Sequence, residues 1–502
     1  MRARNVMRGA DAVGRGLDAP RAARPIVPGE AIHVVGAAGA GASAAALLAS
    51  AAGAVVTGCD AGGGSSYTAA LSARGIEVAR GHDPAHVAGL DPTTARLAVT
   101  KALTSVQPDH PELEAARRVG LALEPWQQVV ADAAKSQRGR LVAVAGTHGK
   151  STSAGWLVHL LVGAGRDPGA FVGALLPAAL TGGPPATARW GRGDAFVVEA
   201  DEYAGNFDAY RPDVAVVLNA EWDHPDVFAD QTAVVDAFYT WLDAPGAGER
   251  RIVVNVDDAG GAELARKLRG RGDRLVRVAP GMAAADVRHR LSASRLAISG
   301  LPGLGATVGT ELRLAGAHNV ANAACVATAA ALLGVGASDI AAGLASFGGV
   351  GRRFEVKGEP SGVLVIDDYG HHPTAIRATL AAVRDRYPGR PVWIAHEPLT
   401  FHRAAVMAEE LAMALAGADH VVIADIWAGR DPDTTITSAA TLAAAVGRIR
   451  GGTVAAPGSV ETTAEHLAER VRAGDIVLVM GGGRSSTIAE RLVTLLGERG
   501  GG

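Results

Sequence analysis

Cysteine is nearly absent. Only Cys59 and Cys325 occur in 502 residues, far apart, with no CxxC pair and no local Cys/His cluster. That scarcity excludes a disulfide framework, offers no spacing for a structural zinc site, and fits a reducing cytoplasm. An excess of one charge is also missing, since 48 Lys and Arg stand against 51 Asp and Glu for a formal charge of −3. Without a sustained basic block there is no electrostatic case for nucleic acid, and small-molecule partners are expected. Repeats of roughly 20–50 residues and coiled-coil heptads are absent too.

The beginning of the chain is poor in acids and carries Arg2, Arg4, Arg8, Arg15, Arg21 and Arg24. It has neither the apolar run nor the cleavage pattern of a signal peptide, so residues 1–30 are expected to form a disordered extension, with a transit peptide as the alternative. The apolar run 31–57 is long enough to cross a bilayer. It is built of Ala and Gly, contains His33, and breaks at Gly36, Gly39 and Gly41, which fits a soluble β-turn-α-turn-β unit better.

A length of 502 residues exceeds one ordinary core, and roughly 150 residues per domain suggests about three. In the first block a strand over 32–35, a glycine turn, a helix near 43–51 and a strand over 54–57 ending at Asp60 form a mononucleotide-binding opening. Further strands are expected at 97–100 and 121–123, with a boundary near the polar run 135–140. A second α/β block opens with a strand over 141–144 and continues with strands at 196–198, 214–218 and 252–255, each nearly continuously apolar, as strands buried on both faces are. The Gly-rich passage 348–351 leads to a third block with strands at 363–366, 392–394, 421–423 and 476–479. The expected fold class is therefore α/β, divided at 31–138, 139–350 and 351–502.

Chemistry concentrates after the strand over 141–144, in Gly146-Thr147-His148-Gly149-Lys150-Ser151-Thr152. A glycine turn between strand and helix aims backbone N–H groups at a phosphate, a lysine adds mobile positive charge, and a hydroxyl can ligate Mg²⁺. The full Walker spacing is not met, because the position five before Gly149 is Val144. Two acidic clusters follow later strands: Glu199-Ala200-Asp201-Glu202, and Asn219-Ala220-Glu221-Trp222-Asp223-His224. Either could be solvated turn or cap residues; downstream of a phosphate loop they also supply the oxygen ligands that a magnesium–nucleotide site needs.

His318, Asn319 and Asn322 open an apolar helix expected over 320–333. Asn319 could cap it, whereas Asn322 lies too far inside for capping and could face a base or ribose. Arg352 and Arg353 are linker charges or phosphate contacts. Asp367-Asp368-Tyr369-Gly370-His371-His372-Pro373-Thr374 joins a strand to a helix over 375–384, where the imidazoles could hold an anion or carboxylate. Zinc is a weaker alternative there, since adjacent histidines point apart. In the first block Gly36-x-x-Gly39-x-Gly41 followed by Asp60 departs from a dinucleotide fingerprint, but the same N–H cradle would serve a UDP group.

In combination these motifs resemble the Mur ligase family, over nearly everything except the Arg-rich start. The matching pieces are GTHGKST from Gly146, EADE from Glu199, the stretch from Asn219 to His224, GAHNVANA from Gly316, GVGRRF from Gly349 and DDYGHHPT from Asp367. The resemblance implies an N-terminal Rossmann-like UDP-binding domain, a central P-loop-type ATP-binding domain and a C-terminal Rossmann-like ligase domain, in a cytoplasmic enzyme of peptidoglycan precursor synthesis. It implies ATP and Mg²⁺ as cofactors, with Lys150 on the β- and γ-phosphates, Ser151 and Glu199 on one metal, and His224 on a second. Asn319 and Asn322 would contact adenine, with Arg353 and Asp368 completing the nucleotide site. Gly36, Gly39, Gly41, Asp60, His371 and Arg403 would serve the UDP substrate. The implied reaction joins L-alanine to the carboxylate of UDP-N-acetylmuramate through an acyl phosphate; murein tripeptide is the alternative donor, and a noncatalytic nucleotide-binding relative the alternative role.

This chain also departs from the family pattern. Ser151 replaces the usual threonine and keeps the hydroxyl. The family's phenylalanine-glutamine-proline-histidine-arginine run becomes His396-Glu397-Pro398-Leu399-Thr400-Phe401-His402-Arg403, with Thr400 where an arginine is expected. Glu397-Pro398 resembles members that attach a preformed murein peptide. Ala37, Ala38, Ala40 and Ala42 replace the usual larger residues of the first glycine turn.

Overall fold

The computed structural model describes residues 13–500, apart from 63, 108, 245–248, 282–283, 315, 430 and 432. The described residues fall into two compact units. One reaches to Asp223 and includes Val227–Arg313 and Asn319–Val350; the other is built from His224–Asp226, Leu314–His318 and Gly351–Gly502.

The first unit holds two sheets. The N-terminal sheet is parallel, in the order β3-β2-β1-β4-β5, with β1 Ala31–Val35, β2 Val55–Asp60, β3 Val78–Arg80, β4 Ala95–Val99 and β5 Ala122–Pro125. The run 31–57 is therefore a strand, the helix Ala40–Ala51 and the start of the next strand. Among the described residues no helix is long and apolar enough to cross a membrane.

The disordered extension expected over residues 1–30 is corrected in part. Residues 1–12 lie outside the described residues, but from Val13 onward the segment is packed down: Val13 is buried against Tyr203 and Ala204, and Leu17 and Ile26 pack against residues of this first sheet. Arg15 is exposed, but Arg21 and Arg24 are not solvated charges. Arg21 Nε lies 2.7 Å from Glu124 Oε1 and its Nη2 2.7 Å from Asp132 Oδ2, while Arg24 pairs with Glu30. Buried Arg96 joins the same network through Glu30, Glu124 and Asp132. Carboxylates this deep need cationic partners, and Arg21 and Arg24 of the segment that looked like a charged tail help provide them.

The larger sheet of this unit has ten strands: β6 Arg140–Ala145, β7 Gly169–Leu176, β8 Ala186–Arg189, β9 Ala195–Ala200, β10 Val214–Val217, β11 Arg251–Asn255, β12 Leu275–Pro280, β13 Val287–Ser292, β14 Arg295–Ser299 and β15 Val308–Glu311. Their order is β15-β14-β13-β12-β11-β10-β6-β9-β7-β8. Strand β6 sits between β9 and β10, parallel to both, with Val144 opposite Glu199 and Ala145 opposite Ala200 and Val217. All three carboxyl ends therefore open at one place, where the connections diverge to either side of β6, the usual ligand position of a doubly wound sheet.

The second unit carries a six-stranded sheet, β16-β17-β21-β18-β19-β20. Its strands are β16 Glu355–Gly358, β17 Leu364–Asp368, β18 Val392–Glu397, β19 His420–Ala424, β20 Ala455–Gly458 and β21 Ile476–Gly481. All pairs are parallel except β16 with β17. Asp368 stands opposite Met480 and Glu397 opposite Gly481, so the ends of β17, β21 and β18 are adjacent.

Candidate active site

Strand β6 runs into a turn that ends at the helix Lys150–Gly163. Gly146 at φ 136° and Gly149 at φ 80° take conformations that a side chain would strain. Asn219, just beyond β10, clamps the turn: its Oδ1 accepts from His148 N at 2.8 Å, and its Nδ2 donates to the His148 carbonyl at 3.1 Å. Thr147 Oγ1 donates to the Glu221 carbonyl and accepts from Glu221 N, both at 3.0 Å. The segment after β10 thus holds the loop in front of a helix N-terminus, whose backbone N–H groups can receive an anion.

Lys150, the first residue of that helix, turns its amine toward the end of β9. Nζ lies 2.8 Å from Glu202 Oε2 and 3.3 Å from Asp201 Oδ1. Burial alone would lower the Lys150 pKa, but Glu202, Asp201 and Glu199 outweigh it and raise it. Burial pushes Glu202 the other way, up to about 7, with Lys150 opposing and Asp201 reinforcing the rise. These two directions pull against one another across a single contact. Lys150 is cationic, because two carboxylates lie within 3.3 Å of its nitrogen.

Ser151 is buried, and its hydroxyl donates to Glu199 Oε1 at 3.0 Å; the other carboxylate oxygen accepts from Gly173 N at 2.6 Å. Glu202 Oε1 is buried without a hydrogen-bond partner. Hydroxyl and carboxylate oxygens clustered in this way are the donor set of a hard divalent cation. Glu199 belongs to β9 itself rather than following it.

The helix expected over 320–333 spans Ala317–Leu332, so Asn319 lies inside its first turn and is not the N-cap. Asn322 is buried one turn on. A methyl group added to Gly149 would lie 2.8 Å from Asn322 Nδ2, which places this amide directly against the loop.

In the N-terminal sheet, Gly36 takes φ 84° and the turn folds back on β2: Gly36 N and Ala37 N both donate to the Cys59 carbonyl, at 2.9 and 3.0 Å. Asp60 accepts from Ala38 N at 3.1 Å and from Gly62 N at 2.9 Å, so its carboxylate shapes the turn. Gly39 precedes the helix Ala40–Ala51 as its N-cap. Gly41 answers to packing, since a Cβ there would lie 2.2 Å from the Trp126 ring.

The remaining candidates belong to the second unit. Asp368 Oδ1 accepts from Gly370 N at 2.7 Å and Oδ2 from Phe354 N at 2.9 Å. Arg352 and Arg353 both stack on Tyr369, with Cζ 5.1 and 5.0 Å from the ring centre. Arg352 Nε also meets buried Asp367 Oδ2 at 3.2 Å. Rather than a free linker charge, Arg352 is a structural one. His372 caps the helix Pro373–Arg386 by accepting from Thr374 N, while His371 Nδ1 lies 3.0 Å from the Tyr369 carbonyl. Arg403 is buried in the helix Phe401–Val406, and its Nη2 lies 3.0 Å from His224 Nδ1. His402 N donates to Asp431.

Sequence reasoning left Asn219 without a role and did not single out Glu202 or Asp201 from their cluster. The first was hidden because its importance lies in the His148 backbone it touches; the other two become visible only once Lys150 is seen to reach across from β6 to β9.

Family models match in chain order: "Mur ligase family, catalytic domain" over residues 31–138, "Mur ligase middle domain" over 144–331, and "Mur ligase, glutamate ligase domain" over 352–483. The UDP-N-acetylmuramate–L-alanine ligase of Kineococcus radiotolerans is 41% identical, covering 93% of this chain and 96% of the relative. That of Acidothermus cellulolyticus is 38% identical, over 92% and 94%. Among solved structures, a murein peptide ligase from Psychrobacter arcticus has a TM-score of 0.71 at 27% identity, covering 93% of this chain and 99% of its own. The UDP-N-acetylmuramate-alanine ligase of Thermotoga maritima has a TM-score of 0.72 at 23% identity, covering 92% and 98%, and so speaks to the three-domain fold alone. The glycine turn that follows β6 is thus set in a chain that three consecutive family models and full-length relatives place within the Mur ligase family.

Proposed function

We propose that the protein is an ATP-dependent ligase that joins L-alanine to the carboxylate of UDP-N-acetylmuramate, a step of peptidoglycan precursor synthesis in the cytoplasm. The observation that carries the reading is the cluster at the carboxyl ends of β6, β9 and β10: a glycine turn locked by Asn219, with Lys150, Ser151, Glu199 and Glu202 converging on it. The names of full-length relatives support the choice of substrates.

A carboxylate is a poor electrophile. Its attack on the γ-phosphoryl group of ATP expels ADP and gives an acyl phosphate, which carries a good leaving group. The alanine amine then adds to the acyl carbon, loses a proton, and phosphate departs to leave the amide. Lys150 contributes fixed positive charge where phosphoryl oxygens gather negative charge, in a site screened from water, and the backbone N–H groups of the loop orient the phosphates. Ser151, Glu199 and the unpartnered oxygen of Glu202 fit Mg²⁺, which when bound supplies further charge neutralisation. Sequence motifs, not geometry, support the roles of Asn319 and Asn322 on adenine, of Arg353, Asp368 and His224 at the nucleotide, and of Gly36, Gly39, Gly41, Asp60, His371 and Arg403 toward the UDP substrate. The division at 31–138, 139–350 and 351–502 is proposed on the same footing.

Glu397-Pro398 favours a second reading, in which a murein tripeptide replaces alanine as donor. Phosphate release by the purified protein with ATP, Mg²⁺ and UDP-N-acetylmuramate decides between them. Release is expected with L-alanine and lost in Lys150→Ala; release with tripeptide alone would overturn the alanine assignment, and wild-type release from Lys150→Ala would overturn the site.

A further inference from the structure

Remote from the phosphate loop, the N-terminal sheet gathers four histidines, a cysteine and a glutamate. His33 lies on β1 and Cys59 on β2; His82 follows β3; His86 ends the short turn of helix Pro84–His86; His110 caps the helix Pro111–Val119, which contains Glu112. Glu112 and Cys59 are fully buried and His33 and His110 nearly so. Everything converges on the Glu112 carboxylate. His33 Nε2 is 3.0 Å and His86 Nδ1 2.9 Å from Oε1, and Cys59 Sγ is 3.2 Å from Oε2. His82 Nδ1 is 3.1 Å from Cys59 Sγ and 3.3 Å from Glu112 Oε2.

We propose that His33, Cys59, His86 and Glu112 form a binding site for a divalent transition metal of the zinc class, separate from the nucleotide site. One ligand atom from each of the four lies within 4.8 Å of every other. A tetrahedral zinc site with bonds of about 2.0–2.3 Å needs its ligand atoms ~3.3–3.8 Å apart, so small movements of side chains convert this cluster into a coordination sphere. The donor set is chemically balanced. A thiolate, a carboxylate and two neutral imidazoles offset a dication, and the sulfur and nitrogen donors favour zinc over magnesium.

Two further observations point inward to a ligand. The outer nitrogen of His33, Nδ1, lies 2.8 Å from Thr57 Oγ1; a proton held there leaves the Nε2 lone pair directed into the cluster, the arrangement that metal-binding histidines use. His110 is buried at 2% exposure with no hydrogen-bond partner for its Nδ1, and with His82 and Glu112 it forms a second, adjoining group of potential ligands that shares Glu112 with the first. Binding would release the Cys59 thiol proton to solvent. The Cys59 carbonyl is the acceptor for Gly36 N and Ala37 N, so a metal here would brace the base of the first glycine turn.

The test uses the full chain stripped by chelator and titrated with Co²⁺. One equivalent is expected to produce a thiolate-to-cobalt charge-transfer band in the near ultraviolet and the intense visible bands of tetrahedral cobalt, and zinc is expected to displace it. An oxygen-ligated nucleotide site gives no such thiolate band. Cys59→Ser should abolish the band and Cys325→Ser should keep it. Thr57→Val, which removes only the outer partner of His33, should weaken binding about 10- to 100-fold with the band retained. Should Cys59→Ser fail to fold, the partly exposed His86→Ala serves instead and should lose tight binding. A wild-type protein without the band, or a band that survives in Cys59→Ser, overturns the proposal.

Discussion

Asn219 illustrates how a residue without a reacting atom governs a site. Its amide bonds both the N–H and the C=O of His148, so the glycine loop proposed to cradle phosphate is held by a side chain from just beyond β10. Asn219→Ala removes two hydrogen bonds worth about 1 kcal/mol each. The expected result is a KM for ATP raised several-fold or more, with the KM for the UDP substrate little changed, in steady-state phosphate release. Equal increases in both would argue for general unfolding. At this scale the sequence spoke clearly where the chemistry is carried by residue type in a fixed local order, as in Gly146 to Ser151. It was silent where the partner is distant in the chain. Cys59 and Glu112, 53 residues apart, meet only because β2 and the helix Pro111–Val119 pack together, which no local spacing reveals.

Elements obey the same division. Strands β6, β9, β10, β11 and those at the centre of the third sheet have apolar middles buried on both faces, with polar residues at their ends, and they were read to within a few residues. Strand β13, with the sequence VRHRLS, buries only alternate positions at its start and carries two arginines outward, so no apolar run marks it. The arginine-rich segment was misread for a related reason: the carboxylates that pair with Arg21 lie over a hundred residues away. Gly41, proposed for the UDP substrate from its place in the glycine turn, also lets the helix Ala40–Ala51 approach Trp126 at the head of the helix Trp126–Gln137, a packing role that the local spacing did not reveal. Gly41→Ala should therefore act on packing, costing about 1–3 kcal/mol as the Trp126 ring is displaced. Calorimetry is expected to show a Tm lowered by several degrees, while the KM for the UDP substrate stays near that of the wild type. An unchanged Tm with a large rise in that KM would leave Gly41 with the binding role alone.

Across the whole molecule, acid should unfold the second unit by a route traceable to one imidazole. His396, on β18 in the middle of its sheet, is fully buried; its Nδ1 lies 3.1 Å from the Met480 carbonyl, and its Nε2 has no hydrogen-bond partner. Burial drives its pKa down to about 4, against the smaller opposing effect of that carbonyl. The sign follows from proton counting. Below the ordinary histidine value of 6.5 the unfolded chain takes up a proton that the folded one refuses until about pH 4. Stability is thus full above pH 6.5 and declines as the pH falls toward 4, by at most about 1.4 kcal/mol per pH unit from this group. His396→Asn retains a donor for the Met480 carbonyl but does not titrate. Hydrogen exchange of the peptide containing β18, corrected for intrinsic rates and measured from pH 7 to 5, should lose protection with acid in the wild type and do so with a shallower slope in the variant. Parallel slopes would show that the buried carboxylates, rather than this histidine, set the acid limit of the sheet.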